Sequence, residues 1–292
     1  MKTAATLIAL LSGFLTACHL RARSKVEEKV AFRDNLNYSA TGDKDAGFDL
    51  YLPKIAGAQP GGKFPAVVFI HGGYWRNQTR SYYQAFTGLY QNFGLALATR
   101  GIATAVIDYR LYPRAKPEDQ IADVESAVAF LKQHAAEYGI DPARIFTVGH
   151  SAGGHLALMA LWQKKNANIR AAIALSPILD IAQMRRHKEP DFNIELTVPF
   201  FGSGDADAKY SPATYAVAAS APALILFGDK DYAYLVEQGK VYKDKFAMAG
   251  LRQIRIETLP ETDHSSMVMD VHTSEDKVSD VIARYIADSG GT

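Results

Sequence analysis

At 292 residues the chain is long for one domain, yet single domains mixing helices and strands reach about 250 residues, so length alone forces no division. With 48% apolar and 22% charged residues the composition is globular, which excludes a disordered or fibrous chain. A formal charge of +1 offers no field to phosphate backbones, so nucleic-acid binding has no support.

The chain opens MKTAATLIALLSGFLTAC, in which Lys2 precedes an apolar run from Ala4 to Leu15. A cation followed by a short apolar stretch is the arrangement of an export signal, here over 1–17. The run falls short of the roughly 20 apolar residues that a spanning helix needs. Leu15-Thr16-Ala17 fits a small-x-small cleavage site poorly, because Leu15 is large. Leu15-Thr16-Ala17-Cys18 instead resembles the lipobox of bacterial lipoproteins. That resemblance implies cleavage before Cys18, lipidation of its thiol, acylation of the new amino terminus and a stable membrane anchor in the cell envelope. His19 stands where an aspartate would follow the cysteine, which by the same resemblance favours the outer membrane, on its periplasmic side. Cys18 is the only cysteine, so no internal disulfide forms and stability rests on packing. The charged stretch from Leu20 to Asp34 reads as a tether, making 18–34 a lipidated lead-in to a folded domain over 35–292.

Apolar, β-branched runs then recur at Ala66 to Ile70, Ala103 to Ile107, Ile145 to Val148, Ala171 to Leu175, Ala223 to Phe227 and Ile254 to Thr258. Their continuous apolarity suits strands covered on both faces, as in a parallel sheet. Between the second and third runs, Ile121, Val124, Val128 and Leu131 follow helical spacing, with Pro117 near the start and Gly139 past the end. Val278, Val281, Ile282 and Ile286 predict a C-terminal helix. Alternating strands and helices give an α/β class with a mostly parallel, doubly wound central sheet and helices on both faces. The segment 178–219 breaks the rhythm and reads as a small cap insertion over a pocket at the carboxyl ends of the strands.

Gly149-His150-Ser151-Ala152-Gly153 stands between a predicted strand and a small-residue, apolar stretch. A G-x-S-x-G at such a strand-to-helix turn leaves a serine hydroxyl exposed, with glycines where side chains would collide. Upstream, His71-Gly72-Gly73-Tyr74-Trp75 directly follows the strand ending at Ile70. Together these motifs resemble the esterase and lipase branch of the α/β-hydrolase superfamily, close to the HGG-bearing carboxylesterases and the hormone-sensitive-lipase-like group. The variant HGGYW is similar to that of kynurenine formamidases and of some feruloyl and acetyl esterases. Asp108-Tyr109-Arg110-Leu111-Tyr112-Pro113 resembles the DYRL-P segment of the same families and reads as architectural.

The resemblance implies that Ser151 is a nucleophile whose acyl-enzyme forms against an oxyanion hole. Main-chain donors of Gly73 or Tyr74 and of Ala152 would form that hole, with Gly72 shaping the turn and His71 structural. Chain order in this fold is serine, acid, histidine. Among the later histidines, His264 lies in a loop after the last predicted strand, whereas His155 on the nucleophile's helix and His187 in the insertion read as packing or surface residues. For the acid, the pattern G-x-x-D in Gly228-Asp229-Lys230-Asp231 points to Asp231, with Asp229 and then Asp180 as rivals. Asp263 reads as a loop former.

The implied chemistry is hydrolysis of a small-molecule carboxylic ester with a short acyl or aromatic part, needing no cofactor and no metal, since no ligand-like cluster occurs. Tyr74, Trp75, Phe200, Phe201, Tyr232 and Tyr234 could wall the pocket or belong to the core, with Trp75, Tyr232 and Tyr234 taken as pocket residues. Amide or formamide hydrolysis, peptide cleavage, and a non-catalytic binding protein on the same scaffold are the alternatives. Because the base must be neutral, activity should fall toward acid with a limb near the reference histidine value of about 6.5. Oligomeric state is not encoded in any of these features.

Overall fold

The central strands form where apolar residues can be covered on both sides, and the strands run in the order β1 (Val30–Asn37), β2 (Gly47–Pro53), β3 (Phe64–Ile70), β4 (Ala103–Ile107), β5 (Ile140–His150), β6 (Ala171–Leu175), β7 (Ala223–Gly228) and β8 (Ile254–Leu259). This computed structural model describes residues 28–54, 63–187 and 193–289. All eight strands join one sheet in the order β1-β2-β4-β3-β5-β6-β7-β8. From β4 through β8 every pairing is parallel, while β2 runs antiparallel to β4 and β1 antiparallel to β2.

Among the described residues the sheet is covered by α1 (Gln91–Ala98), α2 (Pro117–Gln133), α3 (Ala152–Leu158), α5 (Ala233–Met248) and α6 (Val278–Asp288), while α4 (Ile181–His187) belongs to the insertion between β6 and β7. Alternate strand residues divide between two cores, Ala66, Val68 and Ile70 facing α2, α3 and α5, and Val67 and Phe69 facing α1 and α6. Each fully buried Val, Leu, Ile or Phe contributes about 1.5–3 kcal/mol, so two such layers stabilise the fold without a disulfide. In α2, Ile121, Val124, Val128 and Leu131 are buried, Pro117 occupies the first turn, and Asp119 Oδ2 accepts the Lys116 N–H at 2.9 Å. The short helical turn Ala135–Tyr138 ends at Gly139, whose φ of 65° is a left-handed cap. α6 buries Val278, Ile282 and Ile286 as its spacing predicts.

The tether expected over 18–34 is corrected at its end, because β1 already begins at Val30; Cys18 and the export signal lie outside the described residues. Neither β1 nor β2 announces itself by an apolar run. In β1 only Val30 is buried, Phe32 is 46% exposed, and the register slips between Arg33 and Leu36. An edge strand of this kind is held by backbone pairing more than by burial. In β2, the buried Asp49 interrupts the apolar residues and pairs with Arg80 at 3.1 Å.

The parallel register brings the carboxyl ends of four strands level: Ile70 pairs Gly149, His150 pairs Leu175, and Leu175 pairs Leu226. The loops after β3, β5, β6 and β7 therefore open at one edge of the sheet, the position where open α/β sheets hold their ligands. The segment 178–219 lies between β6 and β7 and forms α4 followed by short helical turns over Asn193–Thr197, Val198–Phe201, Ala206–Lys209 and Pro212–Tyr215. Arg185 ties these turns together, donating to the carbonyls of Thr197 at 2.8 Å and Gly202 at 2.6 Å and pairing with Asp207 at 2.5 Å.

Candidate active site

Ser151 is the single residue between β5 and α3, and its backbone sits at φ 54° and ψ −117°. A side-chain-bearing residue in such a region costs about 1–3 kcal/mol and persists only where its surroundings fix it. Two hydrogen bonds fix it here: its N–H donates to Leu175 O at 2.8 Å, and its carbonyl accepts the His155 N–H at 3.0 Å. The flanking glycines are required by close backbone approach. A Cβ on Gly149 would stand 2.3 Å from Gly153 O, and one on Gly153 would stand 2.1 Å from Ile70 O.

Asp231 follows β7 and its side chain is wholly buried, while that of His264 is 15% exposed. His264 Nδ1–H donates to Asp231 Oδ1 at 2.9 Å, and the Tyr232 N–H donates to the same oxygen at 2.7 Å. This bond places the histidine proton on Nδ1 and leaves Nε2 with a lone pair, as a base requires. The second oxygen, Oδ2, accepts the hydroxyl of Ser176, at the end of β6. Ser176 carries no motif, and sequence reasoning passed over it; only the level ends of β6 and β7 bring it to Asp231. His150 was also passed over: its Nε2–H donates to the His264 carbonyl at 3.0 Å, and the two rings lie 4.6 Å apart. Burial first, and then the neighbouring His264, hold the His150 ring well below the ordinary histidine range, so it stays neutral. Among the described residues the His264 side chain bonds Asp231 and none of its bonds reaches Ser151 Oγ. Catalytic hydrogen bonds commonly tighten only when substrate binds.

The rival acids are engaged elsewhere. Asp180 Oδ1 accepts the Gln183 N–H at 2.9 Å while Oδ2 accepts the Tyr242 hydroxyl at 2.7 Å. Asp229 accepts the Thr262 N–H at 3.1 Å. Asp263 accepts the N–H groups of Ser265 at 2.8 Å and Ser266 at 2.7 Å, so it shapes the loop that carries His264.

On the other side of Ser151 the loop after β3 turns through positive φ at Gly73 (102°), Tyr74 (53°) and Trp75 (60°). It is pinned from several elements. His71 Nδ1–H donates to Gly72 O at 2.8 Å, the Tyr109 hydroxyl reaches the carbonyls of His71 and Gly72 at 3.2 Å, and Trp75 O accepts Gln120 Nε2 at 2.8 Å. Gly72 is corrected as an oxyanion residue, because its N–H donates to the Tyr90 hydroxyl at 3.3 Å. Its role is spacing: a Cβ there would stand 3.4 Å from Ser151 Cβ and 3.1 Å from His150 Nδ1. The candidate donors are then those of Gly73, Tyr74 and Ala152, the last being the first residue of α3, whose N–H has no partner within the helix.

The pocket aromatics divide sharply. Trp75 is corrected as a pocket wall, since it is 0% exposed, donates through Nε1 to His155 Nδ1 at 3.2 Å and packs on Phe200 and Phe201. Tyr234 is likewise buried, stacked behind Tyr232 at 6.0 Å. Tyr232 is 45% exposed and its ring lies 4.6 Å from that of His264. Tyr74 hydrogen-bonds Tyr232, and burial, then this neighbour, push its phenol up to about 12. Beside Tyr74 a cleft of about 210 Å³ is lined by Arg76 and Asn77 of the same loop and by Glu195 and Leu196 of the insertion. Among the described residues no cluster of three or more His, Cys, Asp or Glu could hold a metal ion.

His155 joins the site to the insertion. Its Nδ1 accepts from Trp75, so Nε2 carries the proton and donates to Tyr210 O at 2.8 Å. Burial holds this ring down to about 4, against about 6.5 for an unfolded histidine. Between those values the unfolded chain binds a proton that the native state refuses. The stabilising effect is therefore full above about pH 6.5 and lost as pH falls toward 4. A melting-temperature series should fall steeply across that window in the wild type and less steeply in His155→Gln.

Matched against known proteins, the chain fits the BD-FAE family model over residues 48–246. It belongs to the BD-FAE family. This BD-FAE member is 27% identical over 225 residues to the isoprenylcysteine alpha-carbonyl methylesterase ICME of Arabidopsis thaliana, covering 70% of this chain and 50% of that protein. It is 26% identical over 220 residues to the probable carboxylic ester hydrolase LipM of Mycobacterium tuberculosis, covering 70% and 50%. With the kynurenine formamidase of Danio rerio it shares 24% over 240 residues, covering 78% and 73%. The chain spans about a fifth to a half of the length of the first curated relatives it matches. Among solved structures, the truncated form of a carbohydrate esterase from gut microbiota superposes with a TM-score of 0.72 at 19% identity, covering 91% and 99% of the two chains. The inhibited esterase B of Lactobacillus rhamnosis superposes with 0.73 at 18% identity, covering 98% and 97%. At these identities the likeness carries the fold, which is that of the α/β-hydrolases.

Proposed function

We propose that this BD-FAE member is a carboxylic ester hydrolase working through a Ser151 acyl-enzyme. The observation that carries this reading is the strained Ser151 elbow beside a histidine that a buried carboxylate holds at 2.9 Å in the base tautomer. Ser151 Oγ attacks the acyl carbonyl while His264 Nε2 takes its proton. The oxyanion develops toward the N–H groups of Gly73 or Tyr74 and of Ala152, each such donor lowering the barrier by about 2.7–4 kcal/mol. His264 then returns the proton to the departing alkoxide, and water, activated by the same nitrogen, releases the acid and restores Ser151.

Small-molecule esters with a short acyl chain or an aromatic part suit the site. Tyr232, 45% exposed with its ring 4.6 Å from that of His264, offers aromatic surface beside the base. The kcat/KM on p-nitrophenyl esters should fall from acetate to octanoate by about tenfold or more. A profile that rises with chain length would overturn the short-acyl assignment. Formamide hydrolysis is the second reading, supported by the HGGYW sequence and by the likeness to a kynurenine formamidase. A higher kcat/KM on N-formylkynurenine than on every aryl ester would make it the better one.

Export and anchoring through Cys18 are proposed from the lipobox-like sequence alone, with the enzyme held at the cell envelope. Cys18→Ser should leave the membrane fraction or fail to mature, and unchanged fractionation would remove the anchor.

A further inference from the structure

We infer that Ser176 is a positioning residue for the triad acid, a role that rests on the proposed Ser151–His264–Asp231 chemistry. Asp231 is a buried carboxylate whose partners among the described residues are hydrogen-bond donors and include no cation: His264 Nδ1 and the Tyr232 N–H on Oδ1, and the Ser176 hydroxyl on Oδ2. A buried carboxylate without a counter-ion depends on such donors to remain charged and aimed. Among the described residues Ser176 supplies the one bond to Oδ2, and so fixes the rotation of the carboxylate about its side chain. If that bond goes, Oδ2 is left unsatisfied on a wholly buried side chain, and the plane that presents Oδ1 to His264 is no longer held.

The backbone points the same way. Ser176 is wholly buried at φ 47°, where glycine would fit without strain, and its N–H is anchored to Leu226 O at 2.7 Å. A strained side chain in a buried turn is kept for what the side chain does, and its hydroxyl donates to Asp231.

Ser176→Gly tests this without threatening the turn, because glycine adopts that φ freely. Ser176→Ala keeps the strain and loses the same hydroxyl. Both variants should lower kcat on p-nitrophenyl acetate by about 10- to 100-fold, the effect of one hydrogen bond to a charged group, with KM little changed. Ser176→Gly should melt no lower than Ser176→Ala, so that activity and stability part company. The downfield proton resonance of the His264–Asp231 bond should shift or broaden in both variants. Wild-type kcat and an unmoved resonance in Ser176→Gly would overturn the role, as would an activity loss that follows melting temperature across the two. Ser151→Ala run alongside separates the premises: activity persisting in that variant removes the serine mechanism itself, whatever Ser176 does.

Discussion

Replacing Ser151 by glycine should lower kcat/KM by about 10⁴-fold or more and at the same time raise the melting temperature. Ser151 occupies φ 54° and ψ −117°, which glycine reaches at little cost. Relief of about 1–3 kcal/mol, less about 0.5–1 kcal/mol that glycine loses in chain entropy, leaves a balance of about 0–2.5 kcal/mol in favour of the variant. In a domain of this size about 1 kcal/mol raises the melting point by about 2–4 °C, well within reach of a thermal scan. On the proposed mechanism the two effects have one cause: the elbow that would present the hydroxyl to substrate is the conformation that the backbone resists. A lower melting temperature in Ser151→Gly would mean that the turn stores no strain.

Asp231→Asn should cost about 10³-fold in kcat, less than Asp231→Ala, which should cost about 10⁴-fold. The difference lies in which partners of the carboxylate can turn. The Tyr232 N–H on Oδ1 is a backbone donor and cannot reverse, so the amide oxygen of Asn must take that place and continue to accept His264 Nδ1–H. The amide nitrogen then faces the Ser176 hydroxyl, which rotates to accept. Tautomer and geometry survive in Asn, and the negative charge is what is lost. At about 4 Å and an effective dielectric of about 20, that charge stabilises the imidazolium by about 4 kcal/mol, hence the thousandfold. Alanine removes the charge and the orienting acceptor together. Equal losses in Asn and Ala, read from initial rates at saturating substrate, would show that the amide forces the wrong tautomer despite Tyr232.

The body of the fold is legible in the sequence because its strands are covered on both faces. Val67, Phe69, Ile145, Val148 and Ile173 can be apolar without alternation only in that setting, and the spacing of Ile121, Val124, Val128 and Leu131 marks a helix lying on one side. β1 is not legible, since its stability comes from pairing to β2 and its side chains meet solvent. The motifs name Ser151, Asp231 and His264, which the level strand ends bring to one edge. Direction is harder to read than identity. Trp75 and Tyr232 are both aromatic residues next to a motif, yet Trp75 turns inward to His155 while Tyr232 remains 45% exposed beside His264. Gly72 and Gly73 are adjacent glycines, and only the position of the Tyr90 hydroxyl, eighteen residues away, separates spacing from donation. Ser176 is one serine before a proline, and its meaning depends on the pairing of β6 with β7.

The most direct test is covalent labelling by a fluorophosphonate, read as intact mass and by peptide mapping, on the wild type and Ser151→Ala. A single adduct on Ser151 in the wild type, absent from the folded variant, is the expected result. Labelling that persists in Ser151→Ala would move the nucleophile to another residue, and a wild type that takes no label while hydrolysing no ester would contradict the serine mechanism and leave a binding protein on a hydrolase scaffold.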